Sequence, residues 1–125
     1  MTTTMIGSTT AVDAIGRVCH EANRAYCIIL GDQALPGWDE LEESYGESTR
    51  VGVRNALAGN TPEKSHEGWM AERRSQGWVF GAQLDRQLKI HPNLVPYDTL
   101  PSEQKRKVHL FLAIVSALVP SSVCL

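Results

Sequence analysis

The chain has 125 residues, 42% of them hydrophobic and 21% charged, with a formal net charge of −2. That is enough for one soluble domain with a single modest core, and nothing in it suggests a second domain. The longest apolar run, residues 110–119, falls far short of the roughly 20 residues a membrane helix needs. Three cysteines without a Cys-x-x-Cys pair exclude a disulfide framework and speak against structural zinc.

The small net charge hides a division. Residues 1–72 carry five Lys or Arg against eleven Asp or Glu, whereas residues 73–125 carry seven against three. The acidic half concentrates in Asp39, Glu40, Glu42, Glu43 and Glu47, and the basic half holds Arg73, Arg74, Arg86, Lys89, Lys105, Arg106 and Lys107. The second half could hold a small anion. A long DNA duplex is not an expected partner, because the acidic half would repel phosphate and the balance is not basic overall.

In chain order, residues 1–10 read as a flexible tail, without the charged head and apolar middle of a secretory signal. A single domain is expected over residues 11–120, with 121–125 as a second tail, and a reducing cytoplasm is the expected compartment. Cys124, next to last, does not stand where a prenylated cysteine would. Thr10 to Asp13 give a capping-box-like start to a first helix, in which Ile15, Val18, Cys19, Ala22, Tyr26 and Ile29 recur at helical spacing until Gly31 stops it. Cys19 and Cys27 on that helix would lie about 12 Å apart, beyond disulfide reach. On the same helix Glu21 and Arg24 can pair, and His20 and Asn23 could hydrogen-bond across to the middle segment.

After a loop around Pro36 and Gly37, a weaker helix is expected over Ser44 to Ala58, ending at Gly59. Thr61-Pro62-Glu63 is a strong start for a third helix, running to Ser75 with Gly77 behind it. Its face holds His66, Trp69, Met70 and Arg73, with Trp69 expected in the core and Arg73 directed at protein or ligand. The segments Trp78 to Gly81 and Leu94 to Tyr97 are expected to form a short two-stranded ribbon. A last helix runs from Pro101 to Val119, with Val108, Phe111, Leu112, Val115, Leu118 and Val119 on one stripe, until Pro120 stops it. The fold class is therefore mainly α, a bundle of about four helices with a short two-stranded β ribbon in its middle segment.

No nucleophile with a base, metal cluster or paired carboxylate set stands out, so no catalytic residue, no metal and no cofactor is expected. His66-Glu67 lacks the second histidine of His-Glu-x-x-His, since position 70 is Met. His20, His66, His91 and His109 match no familiar ligand spacing and are expected to bond to backbone or carboxylates. A binding site is better placed among Arg73, Trp78, Lys89, His91 and Tyr97. These combine aromatic faces with fixed positive donors in a loop-rich segment. Arg86 and the run Lys105-Arg106-Lys107 read as solvated surface.

The stretch from His66 to Pro101, with His-Glu-x-Trp at 66–69, Gly-Trp-Val-Phe-Gly at 77–81, Lys-Ile-His-Pro at 89–92 and Pro-Tyr at 96–97, resembles the ryanodine receptor repeat, or RyR domain. Residues 17–32 are similar to the first helix of its stand-alone bacterial and phage versions, and the likeness spans about residues 15–119. The resemblance places the recurrent polar and aromatic positions on His66, Glu67, Trp69, Trp78, Gly81, Lys89, His91, Pro92, Pro96 and Tyr97. Phe80 stands for a usual Tyr, Arg73 for Lys, Leu84 for Lys, and Val108 for an acidic residue. The resemblance implies a peripheral helical module that is not an enzyme, with an association to nucleotide signalling and defence. The resulting expectation is a cytoplasmic homodimer that binds or sequesters a small phosphorylated or nucleotide-derived ligand. The alternative is a protein-interaction module without one.

Overall fold

A computed structural model describes residues 9–33 and 35–119. Helix α1 covers Thr9–Ile29, α2 Glu43–Leu57, α3 Pro62–Ser75 and α4 Ser102–Leu118. Two-residue strands β1 (Val79–Phe80) and β2 (Ile90–His91) lie between α3 and α4, and short 3-10 turns occupy Trp38–Glu40 and Tyr97–Thr99.

The helix ends follow local chemistry. Gly31, Gly59 and Gly77 sit at φ of +96°, +101° and +92° behind α1, α2 and α3, the left-handed conformation that ends a helix with little strain only at glycine. At the start of α3 the Thr61 hydroxyl accepts the Lys64 N–H at 3.2 Å, with Pro62 at the first position. Thr10 is not a cap: α1 already contains Thr9 and Thr10. The remainder of both expected tails, Pro120 and Cys124 lie outside the described residues.

The ribbon departs from expectation. Its second strand is Ile90–His91, not Leu94–Tyr97, and it pairs with β1 in parallel, Val79 with Ile90 and Phe80 with His91. The chain returns so soon because Asp85 closes the intervening loop: its backbone exchanges two 2.9 Å bonds with Ile90. Its carboxylate also accepts the N–H groups of Gln87 and Leu88 at 3.0 Å. Lys89 adopts φ +57° at the return. A Cβ on Gly81 would collide with Ile90 Cγ2, so glycine is what lets the two backbones approach. Pro96 caps the 3-10 turn that contains Tyr97, which removes that segment from strand pairing.

Three helices build a small core of Val12, Ile15 and Cys19 from α1, Val53 from α2 and Val115 from α4, flanked by Phe111, Ile114, Ala56 and Leu57, while α3 packs on α2 and α4. Val12 and Val53 are fully buried. This core fills one end of the bundle, because α1 meets α4 antiparallel: Cys19 Sγ lies 3.9 Å from the Phe111 carbonyl. Beyond that level the same two helices line a cavity. Burial holds the Cys19 thiol up at about 12, so it is an inert thiol at neutral pH. Trp38 closes the first loop over α1, where Gly16 leaves room for its ring, and its N–H donates to Glu21 Oε2 at 2.8 Å.

Candidate functional site

The cavity has a volume of about 440 Å³ and is lined by residues of all four helices and of the ribbon segment. Each helix contributes a face. On α4, Gln104, Lys107, Val108 and Phe111 recur at i, i+3, i+4 and i+7, continuing the stripe that ends in the buried Val115. From α1 come Cys19, His20, Asn23 and Cys27; from α2, Tyr45, Ser48 and Asn55. The α3 face supplies Trp69, Glu72 and Arg73, and the ribbon segment adds Leu84, Arg86, His91 and Asn93.

Arg73 is the central group. It is 6% exposed, and its guanidinium has no carboxylate within ion-pair distance among the described residues. One bond, Nη1 to Gln76 Oε1 at 3.1 Å, and the faces of Tyr45 and Trp78, at 4.6 and 6.0 Å from its central carbon, hold it. A guanidinium carries five N–H donors, and one side-chain hydrogen bond uses little of that capacity among the described residues. Burial of a cation on these terms costs free energy unless an anion arrives. The adjacent carboxylate, Glu72, is occupied: its Oε1 accepts from Ser48 and Gln76.

His91 stands beside it as a neutral donor. Asn93 N–H donates to His91 Nδ1 at 3.1 Å, so the neutral ring carries its proton on Nε2, which has no hydrogen-bond partner among the described residues. Burial first, and then the positive charges of Lys107, Arg73 and Arg86, push the imidazole down to about 4. These three cations, from α4, α3 and the ribbon loop, line the same cavity as the ring. Arg86 pairs with Asp32 at 3.2 Å, and Lys107 forms no ion pair among the described residues. Trp69 supplies a flat wall, parallel to His66 at 5.5 Å and edge-on to His91 at 5.0 Å. It is half-buried on the cavity, not in the core as expected.

The structure thus brings Arg73 and His91 together on the wall and sets the other three residues elsewhere. Trp78 lies behind them, its ring 5.8 Å from His91, bracing both. Lys89 turns to the end of α3, where Nζ donates to the Gln76 carbonyl at 2.8 Å. Tyr97 faces α4, its hydroxyl 2.8 Å from His109 Nε2. Lys107, Tyr45 and Asn23 were missed as lining residues. For Lys107 a signal existed: it shares the helical stripe of Phe111 and Val115, where a lysine is out of place unless something polar lies opposite.

Two of the other histidines, His20 and His66, bond to backbone as expected, whereas His109 meets the Tyr97 hydroxyl, neither backbone nor carboxylate. His20 Nε2 donates to the Pro36 carbonyl at 2.8 Å, a partner in the first loop and not in the middle segment. His66 Nε2 donates to Val95 at 2.7 Å, and burial lowers its proton affinity. Asn23 Oδ1 likewise stays local, 4.0 Å from Cys27 Sγ, and Glu21 pairs with Arg24 at 3.2 Å. Among the described residues no group of three or more His, Cys, Asp or Glu is arranged to hold a metal ion.

Polar donors, unneutralised cations and an aromatic wall in one cavity are the chemistry of recognition of a small anion with an organic body. None of the described helices is long and apolar enough to cross a membrane. The family model for the RyR domain matches residues 47–117, more than half of the chain and the part that supplies α2, α3, the ribbon and α4. This protein belongs to the RyR-domain family.

Proposed function

We propose that the protein is a non-catalytic binding module whose cavity holds a small phosphorylated or nucleotide-like ligand. The observation that carries this reading is Arg73, a guanidinium 6% exposed on a cavity wall without a carboxylate partner among the described residues. An anionic group would accept from Arg73, the His91 Nε2–H and Lys107, while a flat ring would lie against Trp69. The bacterial and phage setting implied by the sequence resemblance extends the reading to sequestration of a signalling nucleotide in defence or counter-defence. Thermal shift against mononucleotides, cyclic dinucleotides and nicotinamide-derived nucleotides tests it. A bound ligand at a hundredfold excess over its Kd adds roughly 2.7 kcal/mol, and Arg73→Ala removes that gain. Mass analysis of the recovered ligand should show it unchanged; a hydrolysed product would contradict the non-catalytic reading.

A second reading, docking of a partner protein without a small ligand, draws on the ribbon tip, where Val79, Phe80 and Leu88 are 56%, 59% and 68% exposed. It gains if no nucleotide stabilises the chain. We also propose a homodimer formed through α4, whose Leu110 and Leu118 remain exposed. Sedimentation at about tens of micromolar checks this, and a clean monomer there contradicts it.

A further inference from the structure

The pair Arg86–Asp32 links the loop between β1 and β2 to the end of α1. Arg86 sits on the loop between β1 and β2, and Asp32 follows α1, 54 residues earlier. Both line the cavity. Each is presented by a firm backbone. The Asp32 N–H is tied to the Cys27 carbonyl at 2.8 Å behind Gly31, and Arg86 follows Asp85, whose carboxylate and backbone close the ribbon loop. The bond between them is a single 3.2 Å contact, with the two side chains 37% and 35% exposed. A pair in such a setting contributes little stability and exchanges partners readily. Both charges also reach the His91 ring, Arg86 lowering and Asp32 raising its proton affinity, so the pair borders the very space that Arg73 and Lys107 face.

We propose that Asp32 is an internal competitor for the ligand: its carboxylate occupies Arg86 in the ligand-free protein and yields that guanidinium to the anionic group that enters. The inference rests on the cavity being the anion site proposed above. It assigns Arg86 as a third cationic contact and Asp32 as the residue that sets how strong an anion is admitted. A weak anion merely exchanges one carboxylate for another at Arg86. A phosphorylated group carrying several oxygens and more than one charge spans Arg73, the His91 N–H and Arg86 together, and so displaces Asp32 with a net gain. Until then the pair ties the ribbon loop to the end of α1 across the cavity rim.

Two measurements on the full chain separate this proposal from the reading beneath it. Calorimetric titration with inorganic pyrophosphate compares the parent with Asp32→Asn, Arg86→Gln, the double variant and Arg73→Gln. Hydrogen exchange on the ligand-free proteins follows residues 82–89. Asp32→Asn should tighten pyrophosphate binding roughly three- to tenfold, and Arg86→Gln should weaken it by a similar factor. Asp32→Asn should have a smaller effect when Arg86 is already Gln, and it should speed exchange in the ribbon loop but not in the core of α1 and α4. Unchanged exchange in the Asp32→Asn loop overturns the tie. If Arg73→Gln abolishes binding while Asp32→Asn leaves it equal or weaker, the competition is refuted and the anion site stands. If the parent does not bind pyrophosphate at all, the anion site falls and this proposal with it.

Discussion

The two ends of the bundle use the same helices for opposite purposes. Around Val12, Val53 and Val115 the side chains are small, β-branched and closed against each other; one level up, α1 and α4 present Asn23, Cys27, Gln104 and Lys107 to a cavity of about 440 Å³. Stability resides in the packed end, where apolar area is removed from water. The hollow end carries a buried cation without a carboxylate partner and a neutral histidine whose Nε2–H is unbonded, both among the described residues, and burying such groups costs free energy. The proposed site lies in this hollow end, away from the side chains that close the core.

If the contrast holds, acid should attack the hollow end first. His91 stays neutral in the folded chain down to about 4, whereas the unfolded chain takes up its proton near 6.5. Between those values the unfolded state binds more protons. Stability is therefore full above pH 6.5 and declines as pH falls toward 4, by about 3 kcal/mol if His91 acts alone. Denaturant unfolding from pH 7 to pH 4 measures it, and His91→Gln should flatten most of the decline. His66, whose proton affinity is also lowered by burial, accounts for part of any remainder.

Truncation should separate the two ends next. Val53→Ala, at 0% exposure, is expected to cost roughly 2–3 kcal/mol, whereas Val108→Ala on the cavity wall should cost under about 1 kcal/mol. Equal losses in thermal unfolding would mean that the cavity end is packed as tightly as the core. A smaller effect distinguishes the two lysines. Lys89→Ala removes the bond to the Gln76 carbonyl and should cost about 1 kcal/mol of stability without altering pyrophosphate affinity. Lys107→Ala should do the reverse.

How far the sequence foretold this depends on the range of the interactions involved. The helices and their glycine stops were legible because capping and periodicity are local: Thr61 caps α3, and Gly31, Gly59 and Gly77 take the left-handed φ that their positions suggested. The second strand was misplaced, since Val95 and Tyr97 have strand-like chemistry while Pro96 caps a 3-10 turn that takes up Tyr97, and the loop that returns the chain to Ile90 is closed by Asp85, whose bonds to Gln87, Leu88 and Ile90 no periodicity announces. Within the site, the α3 face exposed Arg73 and His66 to inspection by spacing alone. Lys89 and Lys107 could not be told apart without knowing which way α4 faces. The stripe through Phe111 and Val115 carried that information for Lys107, whereas nothing local reveals that Lys89 reaches the end of α3.

If Arg73 is kept for a ligand at the expense of the fold, Arg73→Met should reveal it. Thermal unfolding of the parent and the variant, each with and without inorganic pyrophosphate, should give a variant as stable as the parent or more so, since an apolar side chain of similar length replaces a buried charge without a carboxylate partner among the described residues. Pyrophosphate should raise the Tm of the parent and leave that of the variant unmoved. A variant destabilised by about 3 kcal/mol or more that still gains the full pyrophosphate shift would make Arg73 a structural residue and contradict the account.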